Sequence, residues 1–331
     1  MTLSRRVERP VRLHRSELAV PATSERFFEK AARGAADAIF LDLEDAVAPA
    51  QKIEAREAAI AALDRIDWGD KTVAVRVNGL DTPWGLRDII EVVTRARRLD
   101  LILLPKVGTP LDVQHVDALI GGLEPERPDG RRIGLEILIE TTLGLSNVEA
   151  IAACSERLEA MIFGVGDYSI DLGTCGEEIG APDPRYTVSP GQGAPHWNDQ
   201  WHFAIARIAN ACHAHGLRAI DGPFANYGDP AAYRASASRG AALGCEGKWA
   251  IHPSQIEIAN EVFRPDAARI AWAHDILASL EAANSGGAGA FGRNNVLIDM
   301  AVAKIAESVL KREALIARHD DARNKGTEDA A

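Results

Sequence analysis

The sequence predicts an α/β fold, a (β/α)8 TIM barrel with a C-terminal helical lid extension. Eight short apolar runs recur along the chain, and amphipathic helical segments separate most of them. Continuous apolar runs that alternate with helices are typical of buried parallel strands. At 331 residues the chain is long enough for one barrel with an appendage. A doubly wound sheet is the structural alternative, but the first strand is not followed by the Gly-rich turn of that fold.

The order of these elements gives the barrel its eight repeats. The predicted strands are residues 17–20, 38–43, 72–77, 101–104, 133–139, 160–165, 217–220 and 245–251. The predicted helices are residues 24–33, 51–64, 84–97, 111–123, 147–153, 201–215 and 230–243. Because the strands run parallel, every strand end and the loop after it emerge at the same rim of the barrel.

Composition excludes several classes of protein. Apolar residues make up 47% of the chain, yet no apolar run approaches the length of a membrane span. The basic N-terminus lacks the apolar stretch of a signal peptide, so we expect a cytoplasmic protein with no membrane partner. A net charge of −11 argues against a nucleic-acid partner. The four cysteines form no CxxC pair, which argues against a zinc cluster or a disulfide framework.

Polar side chains stand at the ends of seven consecutive predicted strands, from the second to the eighth. Barrel active sites form at these ends, so charges of both signs at so many of them indicate one polar site. Each residue taken singly also fits a cap or an ion pair. In chain order the residues are Asp42, Glu44 and Asp45, then Arg76 and Asn78, Lys106, Glu140, Asp167, Asp221, and finally Lys248 and His252.

Two carboxylates among these residues predict a metal site. Glu140 directly follows the fifth predicted strand, and Asp167 follows the sixth after a short Gly-containing turn. Magnesium takes octahedral oxygen coordination, with one or two carboxylates and with substrate and water as the other ligands. The structural alternative is that Glu140 caps the next turn and that Asp167 forms an Asx-turn.

Two segments interrupt the repeat. Residues 172–200 are rich in Gly and Pro, and a loop of this length in a compact domain is usually functional, so we expect it to cover the site. Residues 284–293 contain a literal GxGxxG at Gly287, Gly289 and Gly292. This run follows a helix rather than a strand, so we interpret it as a flexible linker and not as a dinucleotide site.

An amphipathic helix is predicted over residues 296–312, with Asp299 near its start. The predicted organisation is a barrel over 1–265, a helix over 266–283, a Gly-rich linker over 284–293, a lid helix over 294–315 and a disordered tail over 316–331.

Long motifs in the chain resemble those of the malyl-CoA lyases, members of the HpcH/HpaI aldolase and citrate lyase β-subunit superfamily. The resemblance extends over roughly residues 12 to 312. The motifs that carry it are RSELAVPATSERFFEKAA, IFLDLEDAVAP, VRVNGLDT, LLPKVG, EILIET, FGVGDYS, IDGPFANYGDP and GKWAIHPSQIEIANEVF.

The resemblance implies roles for individual residues. Glu140 and Asp167 match the two magnesium ligands, and Arg76 matches an arginine that contacts the reacting oxygens of the substrate. Glu44 and Asp45 match acids that surround the water ligands of the metal.

Four further positions concern the lid and CoA. Asp299 matches a lid acid that reaches the active site of a neighbouring subunit, and Lys30 matches a basic residue near the CoA phosphates. Ser24 stands where some relatives have an arginine that also serves CoA, and Arg26 is the candidate to replace it.

The implied activity is magnesium-dependent cleavage of malyl-CoA, and of β-methylmalyl-CoA, to glyoxylate and acetyl-CoA or propionyl-CoA. Manganese is a candidate substitute for magnesium. The implied partners are an acyl-CoA thioester, glyoxylate, and further copies of the chain in a homo-trimer or homo-hexamer with shared sites. Three alternatives stay open: a malyl-CoA thioesterase, a citramalyl-CoA lyase, and a catalytically silent barrel that acts as a binding subunit.

Overall fold

The protein is described from a computed structural model, in which the chain forms two compact units, Met1–Phe263 and Arg264–Ala331. The residues that the structure describes are 8–127, 130–174, 176, 178–183, 185–188, 196–197, 200–285, 290–293 and 296–328.

The first unit contains a closed barrel of eight parallel strands, which confirms the predicted TIM barrel. The strands follow one another around the barrel in the order β1-β8-β7-β6-β5-β4-β3-β2. They are β1 (Ser16–Pro21), β2 (Ala38–Asp42), β3 (Thr72–Arg76), β4 (Leu101–Leu104), β5 (Gly134–Ile139), β6 (Leu158–Phe163), β7 (Arg218–Asp221) and β8 (Gly247–Ala250).

Helices follow the strands, as the alternating pattern predicts. The helices of the first unit are α1 (Phe28–Arg33), α2 (Lys52–Arg65), α3 (Gly85–Arg95), α4 (Pro110–Leu123), α5 (Thr142–Ser146), α6 (Val148–Ala152), α7 (Val165–Leu172), α8 (His202–His215), α9 (Pro230–Leu243) and α10 (Ile256–Val262). Their apolar faces and the outward-facing strand residues form one continuous core around the barrel.

One difference from the expected elements bears on the site. Strand β6 ends at Phe163, and residues 165–172 form helix α7, which the sequence analysis did not predict. Asp167 therefore lies in the first turn of a helix rather than after a turn. Only parts of the expected covering loop over 172–200 are described; they include two paired short strands, Thr187–Val188 and His196–Trp197.

The barrel interior has three layers. Alternate strand residues point inward, and those at mid-height are apolar: Phe40, Ala74, Leu101, Leu103, Leu138, Ala160, Ile162, Ile220 and Trp249. Charged residues lie on either side of this layer, towards the two ends of the strands. The layer therefore separates the polar residues at the carboxyl ends from a second, buried polar cluster at the amino ends.

The second cluster contains Glu17 and Glu136, whose side chains are fully buried. Ligand atoms of these two carboxyls and of His14 lie within 4.8 Å of one another, a spacing that a cation could bridge. Arg218 Nε donates to His14 Nδ1 at 3.0 Å, and the Trp249 indole N–H donates to Glu17 Oε2 at 2.8 Å. One oxygen of Glu17 and both oxygens of Glu136 are buried and accept no hydrogen bond from a described residue. A proton shared between Glu17 and Glu136 accounts for their closeness.

Burial and the neighbouring carboxyl explain why these groups hold a proton. Burial, and then the charge of Glu136, raises the pKa of Glu17 well above its usual value. Burial also raises the pKa of Glu136 to about 7. Folding therefore binds protons that the unfolded chain releases above roughly pH 4.5.

The second unit consists of two long helices and a β-ribbon. Helix α11 (Ala267–Ser285) packs along α12 (Met300–Glu328), and the strands Phe291–Arg293 and Val296–Ile298 pair antiparallel before α12 begins. A small apolar core joins the helices through Ala273, Ile276 and Ala306. Helix α12 runs to Glu328, through most of the 316–331 segment for which the sequence predicts disorder.

Among the described residues, no helix combines the length and the apolar character needed to span a membrane.

We expect Glu17→Gln to stabilise the protein at alkaline pH. Glutamine can accept the Trp249 N–H and donate to Glu136 without taking up a proton. Because the pKa of Glu17 is raised in the folded state, wild-type stability falls as the pH rises above the unfolded pKa. Urea unfolding at pH 8 should show a gain of about 1 kcal/mol or more for the variant, and the gain should shrink towards pH 5.

The matched control is Glu54→Gln, at an exposed position on α2. Its effect on unfolding should be small at both pH values. A Glu17→Gln effect that does not depend on pH would contradict the shared proton.

Candidate functional site

The last residues of β2 and β3 meet at the carboxyl end of the barrel. Asp42 and Arg76 are register partners, so both side chains point into the barrel at the same height. Arg76 Nε donates to Asp42 Oδ1 and Arg76 Nη2 to Asp42 Oδ2, both at 2.7 Å. This two-pronged pairing fixes the plane of the guanidinium group.

Two further acids face the free edge of Arg76. Its Nη1 lies 3.0 Å from Glu44 Oε2 and 3.4 Å from Asp45 Oδ2. Burial acts to lower the pKa of Arg76, but the charge of Asp42 outweighs it and raises the pKa above the usual value. Arg76 therefore stays charged, and its Nη1 lies between Glu44 and Asp45, on the side where Asp45 is exposed to solvent.

Two aromatic rings lie against the guanidinium group. The Arg76 Cζ atom is 5.7 Å from the centroid of Phe40 and 5.6 Å from that of Trp249. The two rings are themselves 4.5 Å apart. These contacts are within the range of cation–π attraction, and they place an apolar floor beneath a charged group.

Lys106 touches both predicted metal ligands. Its backbone N–H donates to Glu140 Oε1 at 2.7 Å, and its Nζ lies 3.4 Å from Asp167 Oδ2. The same ammonium group hydrogen-bonds to Glu44 and lies 3.8 Å from Asp45 Oδ1. Together with Arg76, the structure thus brings together predicted site residues from five strand ends, those of β2 to β6.

The backbone of Lys106 is held in an unfavourable conformation. Its φ is +56°, which makes it the one non-glycine residue with positive φ in the described chain. A left-handed conformation costs about 1 kcal/mol or more for such a residue, and strain of this kind is concentrated at functional sites. It aims the Lys106 N–H at Glu140 while the side chain reaches the other acids.

Negative charge exceeds positive charge in this cluster. The carboxylates of Asp42, Glu44, Asp45, Glu140 and Asp167 surround the two cations Arg76 and Lys106. Burial, together with the charges of Glu44 and Asp167, raises the pKa of Glu140 to about 8. A hard divalent cation prefers carboxylate oxygens and would supply the missing charge. The donor set therefore fits magnesium, with Glu140 and Asp167 as the groups that would hold it.

Close packing keeps Glu140 in place. A Cβ atom on Gly164 would lie 2.4 Å from Glu140 Cβ and 2.5 Å from its Oε2. Gly164 is the first residue after β6, and its lack of a side chain lets the carboxylate stand between β5 and the start of α7.

Three other predicted candidates lie away from this cluster. Lys248 Nζ donates to Asp221 Oδ2 at 2.5 Å and to the Gly222 carbonyl at 2.7 Å, in a pair buried beneath Gly240 of α9. His252 is exposed, and its ring stacks on Tyr227 with centroids 4.5 Å apart. The structure does not bring these residues into contact with Arg76 or Glu140.

The residues proposed for CoA lie on α1 and just before it. Arg26, Lys30, Arg33 and Arg65 line one surface cleft of about 570 Å³, together with Glu25 and other residues. Arg33 pairs with Glu29 at 2.5 Å, and Arg65 lies 3.8 Å from Glu25. Four cationic groups and the two carboxylates of Glu25 and Glu29 therefore line the cleft, and the excess of positive charge suits an anionic ligand.

Asp299 begins helix α12 in the second unit. Its Oδ1 accepts hydrogen bonds from the backbone N–H groups of Ala301 at 2.9 Å and Val302 at 3.2 Å. This is the geometry of a helix N-cap. The cap uses one carboxylate oxygen and leaves the other outside it.

The roles of three residues of the site were not predicted from the sequence. Asp42 was expected at a strand end without a role, although it holds Arg76. Phe40 and Trp249, which form the floor, were not among the predicted site residues. The alternation along β2 and β8 was the available signal, because it puts Phe40 and Asp42 on one face of β2 and Trp249 on the inner face of β8.

Residues 15–253 of the chain match the family described as HpcH/HpaI aldolase/citrate lyase. The chain belongs to this family.

Relatives of known name match most of the chain, which confirms the resemblance seen in the motifs. The chain is 45% identical over 310 residues to the L-malyl-CoA/beta-methylmalyl-CoA lyase of Rhodobacter capsulatus, a match that covers 93% of this chain and 97% of that protein. It is 36% identical over 304 residues to the (3S)-malyl-CoA thioesterase of Cereibacter sphaeroides, with 92% and 96% covered.

A solved structure shares the fold. The protein CitE from Mycobacterium tuberculosis, in complex with magnesium, acetoacetate and coenzyme A, matches with a TM-score of 0.71 and 27% identity. The match covers 91% of this chain and 98% of that chain.

We expect Lys106→Met to tighten magnesium binding. The substitution removes a positive charge that lies close to Asp167, Glu44 and Asp45. Loss of one repelling charge at such a distance should lower the Kd for Mg²⁺ by about tenfold, as measured by calorimetry without substrate.

The control is Arg95→Met, which removes the same charge from an exposed ion pair on α3. It should leave the Kd for Mg²⁺ nearly unchanged. Weaker Mg²⁺ binding by Lys106→Met would show that Lys106 organises the ligands more than it opposes the cation.

Proposed function

We propose that the protein is a magnesium-dependent carbon–carbon lyase. It cleaves malyl-CoA to glyoxylate and acetyl-CoA, and β-methylmalyl-CoA to glyoxylate and propionyl-CoA. The observation that carries this proposal is the carboxylate cluster around Arg76 and Lys106 in a chain 45% identical to a lyase of that name. The reaction runs in either direction, since it is an aldol-type addition in reverse.

The reaction breaks the bond between the hydroxyl-bearing carbon and the methylene carbon beside the thioester. The hydroxyl loses its proton and becomes the aldehyde oxygen of glyoxylate. The electron pair of the broken bond passes to the methylene carbon, and the thioester becomes an enolate. One proton added to that carbon gives the acetyl group, so atoms and charges balance.

The cluster supplies the groups that this reaction needs. Magnesium held by Glu140 and Asp167 would supply Lewis-acid polarisation of the substrate oxygens. Arg76 is fixed by Asp42, and its Nη1 faces the open side of the cluster, where it can stabilise a developing oxyanion. Lys106 orients Glu140 through its backbone N–H and balances the charge of the acids around it.

The CoA part of the substrate is assigned to the cleft at α1. Lys30 and Arg26 are the groups proposed to contact the CoA phosphates, and both line that cleft. The excess of cationic over acidic side chains in the cleft supports this assignment, because phosphates bind where positive charge is concentrated.

The remaining parts of the proposal concern assembly and location. Asp299 is proposed to move the proton to or from the acetyl methyl group in the site of a neighbouring copy, within a homo-trimer or homo-hexamer. A helix N-cap that keeps one carboxylate oxygen free is suited to proton transfer. A cytoplasmic location follows from the nature of the substrates, which are metabolic CoA esters.

A thioesterase is the second candidate, because a (3S)-malyl-CoA thioesterase is 36% identical to the chain. There the same cluster would hold the malyl group while water attacks the thioester and releases malate and CoA. A single assay separates the two activities. With Mg²⁺ and malyl-CoA, the lyase should release glyoxylate without free thiol, whereas the thioesterase should release one thiol per ester.

The same assay with other acyl-CoA esters gives two further outcomes. Release of pyruvate from citramalyl-CoA would show room for one more methyl group on the hydroxyl-bearing carbon. No turnover of any acyl-CoA, together with no Mg²⁺ binding, would overturn the proposal in favour of a silent binding subunit.

We expect Asp167→Ala to lose lyase activity by at least about a hundredfold at millimolar magnesium, because it removes one of two proposed protein ligands. The barrel should stay folded, since Asp167 is half-exposed in the first turn of α7. The matched control is Asp171→Asn on the same helix. The Asp171 carboxylate accepts hydrogen bonds from the backbone N–H and the hydroxyl of Thr142. Activity of Asp167→Ala close to wild type would contradict its role as a ligand.

We expect complementation between Asp299→Ala and Arg76→Ala. Each variant alone should be nearly inactive. In mixed oligomers some sites would combine an intact Arg76 from one copy with an intact Asp299 from another, so activity should return after co-expression. Mixed assemblies that form and yet stay inactive would show that Asp299 serves its own barrel.

A further inference from the structure

Trp249 connects the two polar layers of the barrel interior. It lies on β8, in the apolar layer, and only 5% of its surface is exposed. Its ring contacts Arg76 on the side of the carboxylate cluster, and its indole N–H points to the opposite layer. No other aromatic side chain among the described residues is shown to contact both layers.

The contact with Arg76 is made by the face of the ring. The Cζ atom lies 5.6 Å from the Trp249 centroid, and Phe40 packs beside Trp249 at 4.5 Å. Asp42 holds Nε and Nη2 of the guanidinium group, and Glu44 lies 3.0 Å from Nη1. All of these partners are carboxylates at the rim of the barrel, whereas Trp249 adds a contact from the apolar layer.

The ring of Trp249 is itself fixed from the other side. Its N–H donates to Glu17 Oε2 at 2.8 Å, and Glu17 is fully buried. Glu17 also lies against the buried groups His14 and Glu136, with one ligand atom of each of the three within 4.8 Å of the others, so buried neighbours confine the acceptor. A buried acceptor held in this way sets the tilt of the indole ring.

We propose that Trp249 is a positioning residue for Arg76, and that Glu17 sets the orientation of Trp249. Arg76, Trp249, Glu17 and Glu136 thus form a column of contacts along the barrel axis. The floor of the site holds the guanidinium group where it meets the developing oxyanion. This role rests on the proposed lyase function for its kinetic readout, but the contact itself can be tested without turnover.

The kinetic test uses Trp249→Phe. Phenylalanine keeps a ring but loses the N–H and part of the face that covers Arg76. We expect kcat to fall by about tenfold while the KM for malyl-CoA changes less than about threefold, because the loss lies in oxyanion stabilisation and not in CoA binding. Trp68→Phe is the matched control: Trp68 is buried outside the barrel and donates to the Ala62 carbonyl at 3.3 Å.

A double-variant cycle separates positioning from general damage. If Trp249 acts through Arg76, Trp249→Phe in an Arg76→Lys background should lower kcat by less than about twofold further. An undiminished tenfold loss in that background would overturn the proposal, since Trp249 would then act on something other than Arg76.

Two substitutions of Glu17 test the lower contact. Glu17→Gln keeps an acceptor for the indole N–H, whereas Glu17→Leu removes it. We expect Glu17→Leu to lower kcat several-fold more than Glu17→Gln. Equal kcat values for the two variants would overturn the role of Glu17.

A nuclear magnetic resonance measurement tests the contact without any activity. The Nε–H resonance of Arg76, assigned by its loss in Arg76→Lys, should be shifted by the aromatic rings in the wild-type protein. In Trp249→Leu it should move towards the ordinary arginine position. A resonance that does not move overturns the proposal even if the enzyme is a lyase. If the resonance moves but the protein turns over no acyl-CoA, the contact is supported and the proposed function is overturned.

Discussion

An excess of buried negative charge at the carboxyl end of the barrel governs the rest of the site. Carboxylates from the ends of β2, β5 and β6 converge there, and carboxylates repel one another strongly where water is scarce. Lys106 adopts a left-handed backbone conformation to reach them, and Arg76 is paired along most of its edge. Glu140 still has its pKa raised to about 8. Such a site is organised to receive a cation and an anionic substrate together.

The barrel interior supports this arrangement from below. An apolar layer with Trp249 and Phe40 at its top separates the carboxylate cluster from the Glu17–Glu136 pair. The apolar layer keeps the two groups of acids apart, and each group has its own charge partners. Arg76 and Lys106 balance the upper carboxylates, and Arg218 and a shared proton balance the lower ones. The same layer carries the contact that holds the guanidinium plane.

Much of this could be predicted from the sequence, because strand ends in a parallel barrel share one rim. Arg76, Lys106 and Glu140 follow apolar runs directly, so counting strands was enough to bring them together. Asp221 ends β7 and Lys248 lies within β8, but their side chains point outward under α9, a distinction that depends on one residue of register. The helix that carries Asp167 was not predicted because GVGDYSID has little apolar periodicity and has glycine at two of its first three positions.

The sequence alone does not predict which side chains pair. The order of residues does not show that Asp42 pairs with Nε and Nη2 of Arg76 while Glu44 lies beside Nη1. That division depends on side-chain directions at the ends of two neighbouring strands, which only the closed barrel fixes.

The claim that this cluster is built for a divalent cation is tested most directly by titration with Mn²⁺, followed by electron paramagnetic resonance. The account predicts one Mn²⁺ bound per chain, displaced by excess Mg²⁺, and lost when Asp167 is replaced by Asn. Stoichiometric binding that survives Asp167→Asn and Glu140→Gln, or no binding at all, would contradict it.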